Sequence, residues 1–468
     1  MIRLRRSSQY SFGDGLIAEQ TSELWEPWMR QADKVLEDER LIGAVYEGLV
    51  KRNAKSRTRG RLGIPAEIVL RMLLLKHIRN WSFAVVEREV RSNLVYREFT
   101  RVGAAKVPDA KTLGRQARAL GPEVIKQVHE RMVAMAVENK VIQGRRMRVD
   151  TTVVETNIHY PTDSSLLGDG TRVLTRLMKN VTAIAGETGT KMRDRMRSMQ
   201  RNVMRIGRAA RIKGERGKKA LAVIYRKVLD TTGRVTAQAK RFSAEIAGGV
   251  KWSADFLKQA ALYGLKREID TMVERTGQVV RQARERIFGG NTHAEGKIVS
   301  VFEPSTEVIR KGKASKPTEF GKMVKVQEAE NQIVIDYEVF DKKPSDTELL
   351  VPAIERHEKL TGRTPDLVAA DNGFFSAKNE AAAHEKGVKR VSIPNRSTKS
   401  EARREIQKKR WFKNGQKWRT GCEGRISLLK RRHGLRRSLY KDEAGMKRWV
   451  GLGVIADNLI NIGMAMVK

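Results

Sequence analysis

Hydrophobic residues between positions 21 and 140 recur every three or four residues, which is the spacing of one face of an α-helix. Pro65 stands where the first turn of a helix tolerates proline. A clear run with this spacing follows it at Ile68, Met72, Leu75 and Ile78. Shorter helical patterns cover residues 83–94 and 113–120. This region is therefore predicted to be helical, with the short-helix arrangement of a helix-turn-helix fold.

The pattern changes at Arg146–Thr156, where alternation and β-branched residues predict a strand that contains Asp150. Residues 164–290 return to the helical period. Beyond them, apolar runs bounded by turns predict five more strands, at residues 297–302, 323–326, 332–340, 367–370 and 388–393. Helices are predicted between the later strands, one of them capped by Asp346 and ended by Gly362. An apolar helix over residues 450–466 follows.

Antiparallel strands followed by alternating strands and helices predict a mixed α+β fold. The order is that of a ribonuclease H-like catalytic core, with a helical amino-terminal domain and a large helical insertion. We expect the helical domain at residues 1–140, the core at residues 141–163 and 296–468, and the insertion at residues 164–295.

The charge of the chain points to a polyanionic partner. Lys and Arg number 93 against 54 Asp and Glu, a formal net charge of +39 spread along the whole sequence. Solubility needs far less charge, whereas release of counterions is the main source of non-specific affinity for nucleic acid. The insertion alone carries 28 basic and 12 acidic residues.

Within the insertion, residues 191–211 separate into two helical faces. One is an apolar seam suited to core packing: Met192, Met196, Met199, Val203, Ile206 and Ala210. The other is a stripe of five arginines with almost no acid between them: Arg197, Arg201, Arg205, Arg208 and Arg211. A solvated helix face is the simpler interpretation of the stripe, but contact with DNA phosphates is favoured because few acids neutralise it.

Asp150 and Asp371 occupy positions at which burying an unpaired carboxylate would cost free energy. Asp150 interrupts an apolar strand, and Asp371 follows a strand predicted to be buried, where Gly373 permits a sharp turn. Either a basic partner neutralises each acid, or the two share a cation. A third ligand is expected from Glu423, on a helix face with Arg419 and Lys430, whose cations would grip the phosphates of the DNA. Carboxylates suit two Mg²⁺ ions, with Mn²⁺ able to substitute.

Other classes of function find little support. The seven histidines lack ligand spacing, and a single cysteine, Cys422, permits no internal disulfide and is expected to serve packing. Neither a Walker A loop nor a Rossmann glycine motif occurs. The amino terminus lacks a signal peptide, and we expect no apolar run that could span a bilayer, hence a cytoplasmic protein without membrane contact.

The residues just described resemble the DDE transposases of bacterial insertion sequences, and residues 148–170 resemble the ISNCY group in particular. The likeness covers nearly the whole chain. In that family the first Asp precedes a Thr, the second lies in an Asp-x-Gly-aromatic turn, and the third acid belongs to a Tyr-x2-Arg-x3-Glu-x6-Lys signature. Asp150, Asp371 and the set Arg419, Glu423 and Lys430 match, whereas Gln416 replaces the tyrosine. Residues 71–76 and 107–113 resemble the family's helical domain, which contacts the element's ends.

The resemblance implies an enzyme that binds the terminal inverted repeats of its element, frees 3′-hydroxyls and joins them to target DNA, acting as a homodimer or larger assembly on double-stranded DNA. Three alternatives stay open. A catalytically silent or domesticated transposase would bind DNA without cutting it, although the intact acid triad argues against this. A structure-selective nuclease on the same fold would cut without joining ends. An RNA-binding assembly factor would explain the charge but not the placement of Asp150 and Asp371.

Overall fold

The computed structural model describes residues 1–6, 12–21, 23–51, 54–186, 188–248, 256–310 and 317–467. These residues form two compact units. The first comprises Met1–Asn157 and Ile309–Lys468, and the second comprises Ile158–Val308. The fold is mixed α+β and mostly helical, as predicted. The division at residue 140 between a helical domain and the sheet stays a prediction, because both lie within the first unit.

In the described part of the chain, eight α-helices precede the first strand, and all but the first contribute residues to one core. They are α1 (Phe12–Thr21), α2 (Pro27–Leu36), α3 (Glu39–Val50), α4 (Ala66–Ile78), α5 (Phe83–Ser92), α6 (Leu94–Phe99), α7 (Ala110–Ala119) and α8 (Pro122–Glu138). Prolines occupy the first turns of α2 and α8, where no amide hydrogen is needed. Asp38 and Asp109 cap α3 and α7 by accepting backbone N–H groups. Every residue of α4 is buried, so this helix forms the centre of the helical layer.

Among the described residues, seven strands form one mixed sheet. They are β1 (Arg146–Thr156), β2 (Glu307–Arg310), β3 (Thr318–Glu328), β4 (Val334–Val339), β5 (Leu367–Ala369), β6 (Arg390–Ser392) and β7 (Arg437–Ser438). The central order is β2-β3-β1-β5-β6, with β4 also paired to β3 and β7 to β1. β3 and β4 form the predicted hairpin, and β3 is antiparallel to β1. β5 is parallel to β1, and β6 is parallel to β5.

The described residues of the second unit form a bundle of four helices around its own core. They are α9 (Asp163–Ala185), α10 (Met196–Ala209), α11 (Gly214–Ala247) and α12 (Phe256–Gly289). The strand predicted at residues 297–302 is wrong, because these residues form bends and irregular backbone. Val299, Ser300 and Val301 are all buried, so the apolar residues of this run serve packing without belonging to a sheet. The backbone N–H and C=O of Ile298 instead bind the Gln282 side chain of α12, so no neighbouring strand is needed.

Five helices complete the first unit around the sheet. They are α13 (Leu350–Thr361), α14 (Ala377–Glu385), α15 (Glu401–Lys408), α16 (Arg410–Arg432) and α17 (Asp442–Val467). α13 ends at Gly362 in the left-handed conformation, as predicted. The predicted cap at Asp346 is wrong. Ser345 caps a short 3-10 turn that begins at Asp346 and leads into α13, which leaves the Asp346 carboxylate available for other contacts.

α17 is the one helix among the described residues that is long and apolar enough to cross a membrane by length and composition. The expectation that no segment meets that test is therefore wrong. Within the apolar window, 67% of the helix is buried inside the protein. α17 contacts α2, α4 and α8 of the helical layer and also β4 of the sheet. Its apolar surface thus fills the core between helices and sheet.

Candidate active site

Asp150, Asp371 and Glu423 line the same cleft, which has a volume of about 1100 Å³. Asp150 lies within β1, and Asp371 follows the end of β5. Because Arg148 of β1 pairs with Ala369 of β5, two further residues along each parallel strand bring the two aspartates level. Glu423 projects from α16, which packs against β1, β5 and β6. The sheet register and one helix thus gather acids that lie far apart in the sequence.

The two aspartates are held in place by backbone amides. Asp150 Oδ1 accepts the N–H of Thr151 at 2.7 Å, and the Asp150 side chain is 15% exposed. Asp371 Oδ1 accepts the N–H of Gly373 at 2.9 Å. Burial raises the pKa of Asp371, the Gly373 amide lowers it, and the charge of Asp346 raises it again. The net pKa is above its ordinary value, so a nearby cation would favour the ionised form.

Arg419 lies among the acids of the cleft. Its Nη2 donates to Glu423 Oε1 at 2.9 Å, and its Nη1 is 3.9 Å from Asp150 Oδ2. Its charge also lowers the pKa of Asp371. The Arg419 side chain is 14% exposed and that of Glu423 is 61% exposed, so Glu423 reaches from the open side of the cleft towards the guanidinium. Lys430 lines the same cleft two turns further along α16.

Gln416 occupies the position at which the resemblance expects tyrosine. Its Nε2 donates to the carbonyl oxygen of Ala370 at 3.3 Å and to Ser392 Oγ at 3.2 Å. Ala370 follows β5, and Ser392 ends β6. Gln416 therefore anchors α16 to the carboxyl ends of two strands.

Sequence reasoning missed several residues of the cleft. Asp346 accepts a hydrogen bond from Thr151 Oγ1 at 3.1 Å, and its charge acts on Asp371, which places a fourth carboxylate beside the aspartates. Glu155 and Glu319 line the far end of the cleft, together with Arg431, Arg436 and Arg437. Asp346 lies seven residues after the end of β4 and was interpreted as a helix cap, so no local pattern marked it as a residue beside the aspartates.

Carboxylate oxygens suit a hard divalent ion, so the chemistry of the donor set fits the predicted metal. The candidate carboxylates lie farther apart than the ligands of a preassembled metal site, since no three acidic, His or Cys side chains in the described part of the chain form a metal-binding group. The contact between Arg419 and Glu423 accounts for this arrangement, because the guanidinium satisfies the carboxylate that a metal would need. Asp150, Asp371 and Glu423 remain the residues that could hold the ion.

The arginines of the stripe are all exposed. Arg197, Arg201, Arg205 and Arg208 lie on α10, and Arg211 follows its end. None of the ion pairs found among the described residues involves any of these five arginines. The apolar seam is partly as predicted. Met199 and Ile206 are buried, whereas Ala209 replaces Ala210 in the core and Met192 precedes the helix.

Two family models match the chain. Residues 26–118 match the model described as "Transposase domain (DUF772)", and residues 296–459 match the model described as "Transposase DDE domain". The first covers most of the helical layer, and the second contains Asp371, Glu423 and Arg419 but begins after Asp150. No curated protein and no solved structure gives a significant match. The two matches support a transposase of the DDE type, a nuclease-type enzyme that acts on DNA.

Proposed function

We propose that this chain is an insertion-sequence transposase of the ISNCY-like group that cleaves DNA at the ends of its element and transfers the freed strands to a target. The observation that carries the proposal is the meeting of Asp150, Asp371 and Glu423 in one cleft, together with basic side chains, in a chain with two transposase-domain matches. The sheet order supports a ribonuclease H-like core. Read from β4 through β3, β1 and β5 to β6, it has the antiparallel strands on one side of β1 and the parallel strands on the other.

Each side chain has a role in the proposed reaction. Asp150, Asp371 and Glu423 would hold two Mg²⁺ ions, with Mn²⁺ able to substitute, and bound metal would supply the Lewis acidity for activating the attacking hydroxyl and stabilising the leaving oxygen. The amides of Thr151 and Gly373 orient the two aspartates. Arg419 and Lys430 provide cations for the phosphates beside the scissile bond.

Two basic helix faces would hold the DNA outside the cleft. On α7, Lys111, Arg115 and Arg118 are exposed at steps of four and three, and so lie on one face of the helix. α7 lies within the residues that match the first transposase model, which supports contact with the element's ends. On α10, the arginine stripe would contact the phosphate backbone without sequence preference.

Asp371→Asn provides the decisive test. We expect the variant to bind end-containing double-stranded DNA with nearly the parent's affinity, because the exposed cations are unchanged, while cleavage falls by orders of magnitude. Gel shift and cleavage are measured on the same preparation. Asp366→Asn is the matched control. Asp366 lies at the opposite end of β5, paired with Arg363 and Lys389, and its variant should cut like the parent.

Undiminished cleavage by Asp371→Asn would refute the mechanism. Strand transfer is scored in the same reactions by adding a circular target plasmid. Cleavage without any joined product would favour a structure-selective nuclease, and binding without cleavage by the parent would favour a catalytically silent protein.

A further inference from the structure

A buried arginine stands on β1 just before the first candidate acid. Arg148 and Asp150 are two residues apart, so their side chains project from the same face of the strand. The Arg148 side chain is only 6% exposed. Its Nη2 donates to Glu328 Oε2 at 2.6 Å, and Arg148 and Glu328 are direct partners in the register of β1 and β3. The pair is therefore fixed by the central part of the sheet.

The same guanidinium also binds helix α16. Arg148 Nη1 donates to the backbone carbonyl oxygen of Trp418 at 2.6 Å, and the guanidinium carbon lies 4.9 Å from the centre of the Trp418 ring. Gly421 makes this approach possible, since a Cβ atom there would lie 2.2 Å from Arg148 Nη1. A helix side chain at position 421 would push the guanidinium away. The sequence thus leaves a gap in the helix surface where the arginine enters.

The two faces of α16 divide between this contact and the cleft. Gly421, Cys422 and Arg425 face the strands, whereas Arg419 and Glu423 face the cleft. Adjacent helix residues are about 100° apart around the axis and about 1.5 Å apart along it, so a small rotation or slide of α16 would turn Glu423 away from Asp150. Apolar packing is not directional, whereas hydrogen bonds are: Gln416 fixes α16 to the ends of β5 and β6, and Arg148 adds a directional contact close to Glu423.

A second buried pair continues the network to the next helix. Arg425 Nη1 lies 2.8 Å from Asp457 Oδ1 of α17, and Arg425 Nε lies 3.9 Å from Glu328 Oε2. The chain Arg148, Glu328, Arg425 and Asp457 therefore joins β1, β3, α16 and α17 beneath the cleft. Buried ion pairs add little net stability compared with apolar residues of similar volume, so a pair of this kind is better explained by the geometry that it fixes.

We propose that Arg148, paired with Glu328, is a positioning residue that sets the rotation and height of α16 on the sheet, so that Arg419 and Glu423 face Asp150. The inference rests on the proposed function for its effect on catalysis. The effect on α16 itself stands on the contacts alone.

The single cysteine of the chain supplies a readout that needs no catalysis. Cys422 is fully buried on the strand-facing side of α16. In the full-length parent we expect its thiol to react slowly with a soluble disulfide reagent under native conditions. The double variant Arg148→Met, Glu328→Met removes both charges and keeps the approximate volume, so we expect a melting temperature near that of the parent. We expect cleavage that is slower by about 10- to 100-fold, with DNA affinity retained. Because the Glu328 carboxylate contacts the Cys422 thiol and raises its pKa, labelling is compared with that of Glu328→Met alone, which keeps the contact between Arg148 and Trp418, and the double variant should label at least tenfold faster than that single variant.

Arg146→Met is the matched control, because Arg146 is an exposed residue on the same face of the same strand. It should keep the parent's labelling and cleavage rates. If the double variant melts and cuts like the parent and labels like Glu328→Met, Arg148 has no positioning role. The single variant Arg148→Met leaves Glu328 buried without its partner, and its loss of stability relative to the double variant shows that the pair forms in solution. A parent that cuts no DNA would refute the proposed function, while the labelling experiment would still decide the effect on α16.

Discussion

The exposed arginines of α10 give a prediction whose size follows from the helix geometry. From Arg197 to Arg208 the helix rises about 16 Å, which spans about five phosphates of one DNA strand at about 3.4 Å per phosphate. Successive arginines are four, four and three residues apart, or about 4.5 to 6 Å, so each one can reach a separate phosphate. Each neutralised phosphate contributes about −0.9 to the slope of log K against log salt concentration.

Changing Arg201, Arg205 and Arg208 together to Gln should therefore flatten that slope by about two to three. The buried Met199 and Ile206 are unchanged, so the bundle should stay folded. Fluorescence anisotropy with labelled element-end DNA, from low to moderate salt, measures the slope, and circular dichroism checks the helix content.

The control removes the same net charge from the same unit at positions that already pair with acids. Lys179, Arg234 and Lys266 pair with Asp194, Asp230 and Asp270 respectively. Their triple Gln variant should keep nearly the parent's slope. Equal slopes and affinities for the parent and the α10 variant would show that the stripe is a solvated face and would assign DNA binding to the helices of the first unit. Equal losses in both variants would show that only net charge matters.

Two further predictions concern stability. Gly463 of α17 lies where a Cβ would be 2.4 Å from the backbone oxygen of Trp28, so Gly463→Ala should lower the free energy of unfolding by about 1–3 kcal/mol, measured by urea denaturation. Burial lowers the pKa of Lys76 to about 7. Between pH 7 and the pKa of the unfolded chain, the unfolded state therefore binds one more proton than the folded state. The free energy of unfolding of the parent should rise with pH over this range. Relative to Lys76→Met, the parent should gain about 2 kcal/mol from pH 7 to 9. If the difference in free energy of unfolding between the parent and Lys76→Met does not change with pH, the Phe83, Tyr440 and Trp449 rings keep the Lys76 ammonium charged in spite of its burial.

The strands with strong local patterns could be predicted from the sequence. β1 has the bounds that alternation predicts, and β5 ends within one residue of the predicted run. Residues 297–302 show the limit of the same rule, since side-chain alternation says nothing about what the backbone binds. The length of α17 was underestimated because polar residues at its start interrupt the apolar run, although they lie on the same continuous helix.

Some residues of the candidate site could likewise be predicted from the sequence, and others could not. Asp150, Asp371 and Glu423 could be selected because each has a local signal: a strand interior, a strand end and a helix spacing. The roles of Arg148 and Glu328 could not be seen, because the contact joins residues 180 positions apart and depends on strand register. Asp346 was equally hidden, since its partner Thr151 lies 195 positions away.

The position of α17 in the core has a consequence for synthesis of the chain. The helical layer made first, including α2, α4 and α8, buries its apolar faces against a helix whose residues are made about 300 positions later. At about 5–20 residues per second, the ribosome needs roughly 15 to 60 s to reach it. During that interval the early helices expose apolar surface, and β1 has no β3 to pair with. We therefore expect chaperones to bind the nascent chain. A chain that ended before residue 442 would leave the apolar faces of α2, α4 and α8 uncovered and would be prone to aggregate.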